Sequence, residues 1–210
     1  MQRRTGLQAL LFAPLAMVPL GRATAAHAAA DATADAQRDT TRESEALLRR
    51  GGGGLVVVMR HALAPGTFDP PGFRSGDCST QRQLSDAGRA QARAIGAWYR
   101  AHALAPTAVR SSAWCRCVDT AQLAFGRVQP WPPLDSMLRE TVRRDEQAAL
   151  LRAELARRAQ SRVSGFEVWV THQVNVSALA GGFADSGEAV LLRHDAARGG
   201  VAVLASLRIA

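Results

Sequence analysis

Two hydrophobic rhythms alternate along the chain. Leu55-Val56-Val57-Val58-Met59 is a short, near-continuous apolar run rich in β-branched side chains, the pattern of a strand buried on both faces. Residues 107–111 and 166–171 read as strands too, and 189–194 and 200–207 add two more. Between them the apolar positions recur at helical spacing. Leu84, Gly88, Ala92, Ile95 and Tyr99 share one face of a helix that starts at Ser85-Asp86, with Ser85 as N-cap, and reaches about His102. Ala148, Leu151, Leu155 and Ala159 mark another over 145–160, while 114–125, closed by Gly126, and 175–180 are shorter. A helix over 41–50 ends at the glycine run 51–54, where the chain is released from helical geometry. The alternation predicts an α/β domain with helices on both faces of a sheet.

The first residues fall outside this rhythm. Arg3 and Arg4 precede an apolar run from Leu7 to Leu20 and then small residues, which predicts a cleaved signal peptide over 1–28. Pro14 and Pro19 interrupt the run, and a bilayer crossing needs about 20 predominantly apolar residues, so no stable membrane insertion is expected after cleavage. Ala23-Thr24-Ala25 and Ala26-His27-Ala28 both offer small-x-small cleavage sites, and the paired arginines leave the general and the twin-arginine export routes open. Residues 29–40, rich in Ala, Asp and Thr without apolar periodicity, are expected to form a flexible tail, leaving 41–210 as the folded domain. The expected location is periplasmic or secreted.

The 210 residues, 47% of them hydrophobic, suit one globular core. The formal charge is +8, but Arg3, Arg4 and Arg22 leave with the leader and no acidic residue does, so the mature domain is only moderately basic. All 26 basic residues are arginine, and with aromatic content at 5% there is no basic run interleaved with stacking side chains, so no nucleic-acid partner is expected. Arg143, Arg144, Arg152, Arg157 and Arg158 read as a solvated helix face. Of Cys78, Cys115 and Cys117, two are expected to pair in an oxidising compartment, with the pairing left open. Cys115-Arg116-Cys117 lacks zinc-knuckle spacing, and no metal or cofactor is expected.

Arg60-His61, Arg116 and His172 each stand just beyond a predicted strand or in the first turn of the helix that follows. Open α/β sheets gather ligands at that edge, where helix N-termini add unpaired N–H groups. Two arginines and two histidines converging there suit a phosphate dianion. His102, His194 and His27 are expected to be structural, and Trp114 and Trp131 to pack in the core or crevice. Residues 62–83, with three prolines and three glycines, form a long loop of the kind that carries binding roles.

These residues resemble the histidine phosphatase superfamily, also called phosphoglycerate mutase-like, in its branch 1 form. Val58-Met59-Arg60-His61-Ala62 is similar to its Arg-His-Gly motif and Leu84-Ser85-Asp86-Ala87-Gly88 to its first long helix. Ser111-Ser112-Ala113-Trp114-Cys115-Arg116 resembles its arginine segment, and Val170-Thr171-His172-Gln173 its second histidine segment. The resemblance spans about residues 54–193 and implies a three-layer sandwich with a mostly parallel central sheet. It further implies a phosphomonoesterase in which His61 attacks phosphorus, Arg60, Arg116 and His172 bind the phosphoryl oxygens, and a carboxylic acid protonates the leaving group. Glu140, in Leu138-Arg139-Glu140, matches that acid's position, with Asp145 and Glu146 as nearby alternatives. Ala62 departs from the motif's glycine and adds a Cβ where a positive φ or close approach to phosphate would be needed.

The expected substrate is a small phosphomonoester or a phosphorylated envelope component. The alternative is a weak or inactive phosphate-binding or signalling module of the same fold. A mutase is disfavoured, because it needs a closed site and an acceptor.

Overall fold

The computed structural model describes residues 21–137, 141–161 and 163–209, with the side chains of 21–31, 141 and 142 excepted. Two compact units divide the chain, 1–36 and 37–210. Residues 1–20, most of the expected leader, lie outside the described residues, as does Glu140.

Helix α1 (Gly21–Arg50) includes 29–40, where the apolar pattern marked no helix. The physical reason is composition: alanine, here at 29, 30, 32, 34 and 36, is the best helix former and needs no apolar stripe to adopt the conformation. Within the second unit, Leu48 near the end of α1 is buried and Ser44 Oγ donates to the Ser206 carbonyl.

A six-stranded sheet follows: β1 (Val56–Arg60), β2 (Ala108–Ser111), β3 (Gln129–Pro130), β4 (Glu167–Thr171), β5 (Ala189–Asp195) and β6 (Gly200–Leu207). Its order is β3-β2-β4-β1-β5-β6; β3, β2, β4 and β1 run parallel and β5 pairs antiparallel with both its neighbours. The sheet is thus mixed and mostly parallel. Between the strands lie α2 (Asp86–Ala101), α3 (Cys115–Phe125), α4 (Thr141–Gln160) and α5 (Gln173–Ala180). The two-residue β3 and the short 3-10 turn at Cys78–Thr80 had no counterpart in the sequence pattern; a second 3-10 turn spans Pro132–Leu134.

Alternation along each strand sorts the side chains between two cores. Val57, Met59, Val168, Val170, Ala189 and Leu191 pack with Ile95 and Tyr99 of α2 and Cys117 and Ala121 of α3. Val56, Val58, Trp169, Val190 and Leu192 pack on the other face with Leu151 and Leu155 of α4 and Val176 and Leu179 of α5. Burial on both faces is why these strands read as unbroken apolar runs.

The caps agree with the sequence. Ser85 Oγ accepts from the Gly88 N–H at 3.1 Å, and Gly126 closes α3 with a φ of 69°. Gly54 is required: its φ is +74°, and a Cβ there would stand 2.6 Å from the backbone nitrogen of Ala159. Arg158 corrects the reading of a wholly solvated face on α4. It is 5% exposed and ion-paired with Glu167, whose carboxylate also accepts from the Trp169 indole at 3.1 Å and lies 3.4 Å from Arg110 Nε. Arg143, Arg152 and Arg157 are exposed as expected.

Candidate active site

Register brings the two histidines together. In the parallel β1–β4 pair Arg60 stands opposite Thr171, so the next residues, His61 and His172, leave the sheet side by side. The His61 N–H donates to the Thr171 carbonyl at 2.9 Å, and the two imidazole rings lie 5.5 Å apart. Strand β2, on the far side of β4, ends at Ser111 and hands the chain to α3, which carries Arg116 in its first turn. Arg60, His61, Arg116 and His172 thereby line one open pocket of about 280 Å³, with Gly66, Thr67, Arg82, Ser136, Gln173, Val174 and Phe183 completing the wall.

His61 is buried, and its Nδ1 lies 2.8 Å from the Ala62 carbonyl oxygen. A carbonyl only accepts, so Nδ1 carries the proton and Nε2 keeps the lone pair. Burial, and then the fields of Arg116, Arg60 and Arg82, hold its pKa down to about 3, against the bond to Ala62. The ring is therefore neutral through the physiological range.

Ala62 takes no positive φ; among the described residues Ala103 is the only non-glycine that does. Its N–H donates to Thr120 Oγ1 at 3.0 Å, and its side chain packs with Ala64, Leu84 and Ala92. Beside the site it is Gly88 that must be a glycine. A Cβ there would meet the Leu63 carbonyl oxygen at 2.0 Å, so α2 presses directly on the segment that follows His61.

His172 is pinned from both sides. Arg116 Nη2 lies 3.4 Å from Nδ1 and can only donate, which leaves Nε2 protonated and donating to Ser112 Oγ at 2.8 Å. Ser112 in turn bonds Asp135, whose carboxylate also accepts the Ala113 N–H at 2.7 Å; burial raises the pKa of Asp135. Burial, then the charge of Arg116 and its neighbours, lowers the pKa of His172 well below the ordinary value.

A pH dependence of stability follows. Both histidines take up a proton in the unfolded chain near pH 6.5, whereas the folded state resists protonation to far lower pH. The unfolded state therefore binds more protons as pH falls, and stability is lost between about pH 6.5 and 4, at roughly 1 kcal/mol per pH unit for each ring. Urea unfolding at pH 7 and pH 5 checks this. Equal midpoints would mean that the two rings are not held neutral.

Two contributors to the site were missed by the sequence reading, both in the loop 62–83. Arg82 lines the pocket, its Nη1 donating to the Ala64 carbonyl at 3.1 Å and also to that of Gly66. Asp69 ion-pairs with Arg116 at 2.7 Å. The loop is fastened to the start of α3 by a Cys78–Cys115 disulfide, by the Cys115 N–H donating to Gln81 Oε1 at 3.0 Å, and by Phe73 stacked on Trp114 at 4.9 Å. Cys117 is the free cysteine, buried, its thiol pushed up to about 12 by burial.

The remaining candidates separate. Asp145 and Glu146 are exposed on α4, and neither lines this pocket. His102 stacks on Trp98 and bonds the Trp98 carbonyl, while His194 lies in β5, and neither lines this pocket. The side chain of His27 lies outside the described residues. Trp131 packs on Trp169 under the Arg110 guanidinium.

Solved structures share the fold. A protein of Escherichia coli assigned as an alpha-ribazole-5'-P phosphatase superposes with a TM-score of 0.53 at 15% identity, over 74% of this chain and 98% of that one. A phosphoserine phosphatase of Entamoeba histolytica, solved with 3-phosphoglyceric acid, gives 0.52 at 13% identity, over 73% and 96%. The product of a Mycobacterium tuberculosis open reading frame gives 0.52 at 16%, over 72% and 96%. At such identities the likeness is one of fold. No curated protein sequence matches the chain. A family model, however, covers residues 56–163, more than half of the sequence, and includes the β1 end with Arg60-His61 and the α3 start with Arg116. By that match the chain belongs to the histidine phosphatase superfamily, branch 1.

Proposed function

We propose that the protein is an exported phosphatase that hydrolyses small phosphomonoesters through a phosphohistidine on His61. Family membership supports a phosphatase, and hence a hydrolase. The observation that carries the finer reading is the state of His61: neutral, with Nδ1–H bonded to the Ala62 carbonyl, and lining a pocket with Arg60, Arg82 and Arg116. A nucleophilic imidazole needs this protonation state and a ring orientation fixed by its other nitrogen.

In the proposed cycle Nε2 of His61 attacks phosphorus, the P–O bond to the alcohol breaks, and the leaving oxygen takes a proton from a carboxylic acid, for which Glu140 remains the candidate. Water then attacks the phosphohistidine, the P–N bond breaks, and inorganic phosphate leaves as His61 returns to its neutral form. Arg60, Arg82 and Arg116 neutralise the equatorial oxygens. Since Arg116 Nη2 rests near His172 Nδ1, an arriving phosphoryl oxygen takes that donor over.

Export is supported by Arg3-Arg4 ahead of an apolar run and by the Cys78–Cys115 disulfide, which suits an oxidising compartment. Recovery of the chain in the cytoplasmic fraction with residues 1–28 attached would refute it.

The test of the reaction is to mix the purified protein with a radiolabelled phosphomonoester and quench in alkali. A protein-bound label stable to alkali, released by acid and located on His61 is expected. Turnover without such an intermediate, or phosphate binding without turnover across a panel of esters, overturns the reading; the latter favours a binding module.

A further inference from the structure

Asp69 puts a carboxylate on the arginine that is to hold the phosphate. Its Oδ1 accepts from Arg116 Nη1 at 2.7 Å and from the Arg82 amide at 3.0 Å. Its Oδ2 accepts from the Trp114 indole at 3.1 Å and lies 3.4 Å from Arg116 Nη2. Burial opposes the charged form, but the bonds from the Arg82 amide and from Arg116 outweigh it and hold the carboxyl below its usual range. Asp69 is therefore a fixed anion and no proton donor. The side chain is 16% exposed and Arg116 is 4% exposed, so solvent screens the pair poorly.

The pocket's charge shows what such an anion does. Among the described residues its two histidines are neutral, three guanidinium groups line it, and Asp69 bonds one of them. The two positive charges left match a phosphate dianion. Asp185, whose field reaches Arg60, is itself paired with Arg208 at the surface. Without Asp69 the third cation would be uncompensated, and inorganic phosphate, a dianion like the ester, would be held more tightly after each turnover.

Resting on the phosphatase reading above, we propose that Asp69 is a positioning residue that occupies the outer fork of Arg116 and limits the pocket's affinity for phosphate, so that product leaves. The disulfide at Cys115, next to Arg116, keeps the Asp69 loop in place.

The test is the affinity of the purified protein for inorganic phosphate, measured by calorimetry for wild type, Asp69→Asn and Asp69→Ser, with circular dichroism as a check of folding. Both neutral variants are expected to bind phosphate about tenfold more tightly, the effect of a unit charge roughly 6 Å from a dianion even at the dielectric of water. KM and kcat should fall together as product release slows. A merely structural ion pair predicts the opposite, weaker binding from a misplaced Arg116. Unchanged or weaker binding in whichever neutral variant folds overturns the proposal and leaves the phosphatase reading intact. No binding of phosphate by the folded wild type or by any folded variant overturns both.

Discussion

Replacing His61 by alanine is expected to lower kcat/KM for every phosphomonoester by at least about 10⁴-fold, the scale on which loss of a nucleophile acts when the rest of a site survives. The fold should persist. His61 lies beyond the last pair of β1, and its side chain hydrogen-bonds the neighbouring Ala62 carbonyl, which alanine leaves unpartnered at about 1–3 kcal/mol. The measurement is phosphate release from a panel of alkyl and aryl monoesters, with circular dichroism on both proteins. The aryl esters need little help from an acid, so they isolate the nucleophile from Glu140 or whichever carboxylate protonates less activated alcohols. A loss of less than about tenfold on aryl esters would place the nucleophile elsewhere.

The features that the sequence exposed are those written in local pattern. β1 and β4 are buried on both faces, so they appear as uninterrupted apolar runs, and the residues just past them, Arg60-His61 and His172, inherit a predicted place at the sheet's ligand edge. Ser85 and Gly126 announce helix ends by chemistry that acts over a few residues. Arg116 follows from the brevity of the turn between β2 and α3.

What escaped depends on contacts distant in sequence. Arg82 reaches the pocket, and Asp69 reaches Arg116, because the loop is fastened to α3 by Cys78–Cys115, and with three cysteines the pairing was not deducible. Arg158 sits at a helix position that reads as surface and is buried because Glu167 of β4 lies beneath it. The order of the strands, with β4 inserted between β2 and β1, is likewise invisible to periodicity, and it is this order that sets His172 between Arg116 and His61. The helix through 29–40 carries no apolar stripe, and only its alanine content signals it. The concern over Ala62 rested on a motif glycine, and here the backbone at that place stays in the region open to any residue.

The second large effect is expected at Arg116. Alanine there removes a cation from the pocket and takes from the Asp69 carboxylate its ion pair with Arg116, leaving the bonds from the Trp114 indole and the Arg82 amide in place. Loss of one preorganised donor to the phosphoryl oxygens costs about 10²–10³-fold in kcat. The Asp69 charge, no longer offset by Arg116, then repels the substrate dianion, so kcat/KM should fall by about 10³-fold or more, with KM rising as well. Stability should drop by about 2 kcal/mol, short of the 3–5 kcal/mol typical of a broken buried pair, because Asp69 lies near enough to the surface to recover some hydration. The double variant Arg116→Ala with Asp69→Asn separates the two contributions. It should regain most of the stability and much of the KM while kcat stays low, because neutralising Asp69 removes the charge that Arg116 had offset but does not restore the missing donor. Kinetics and urea unfolding of the two proteins measure this, and a double variant no more stable and no better at binding than the single one would show that the carboxylate is not what the loss of Arg116 exposes.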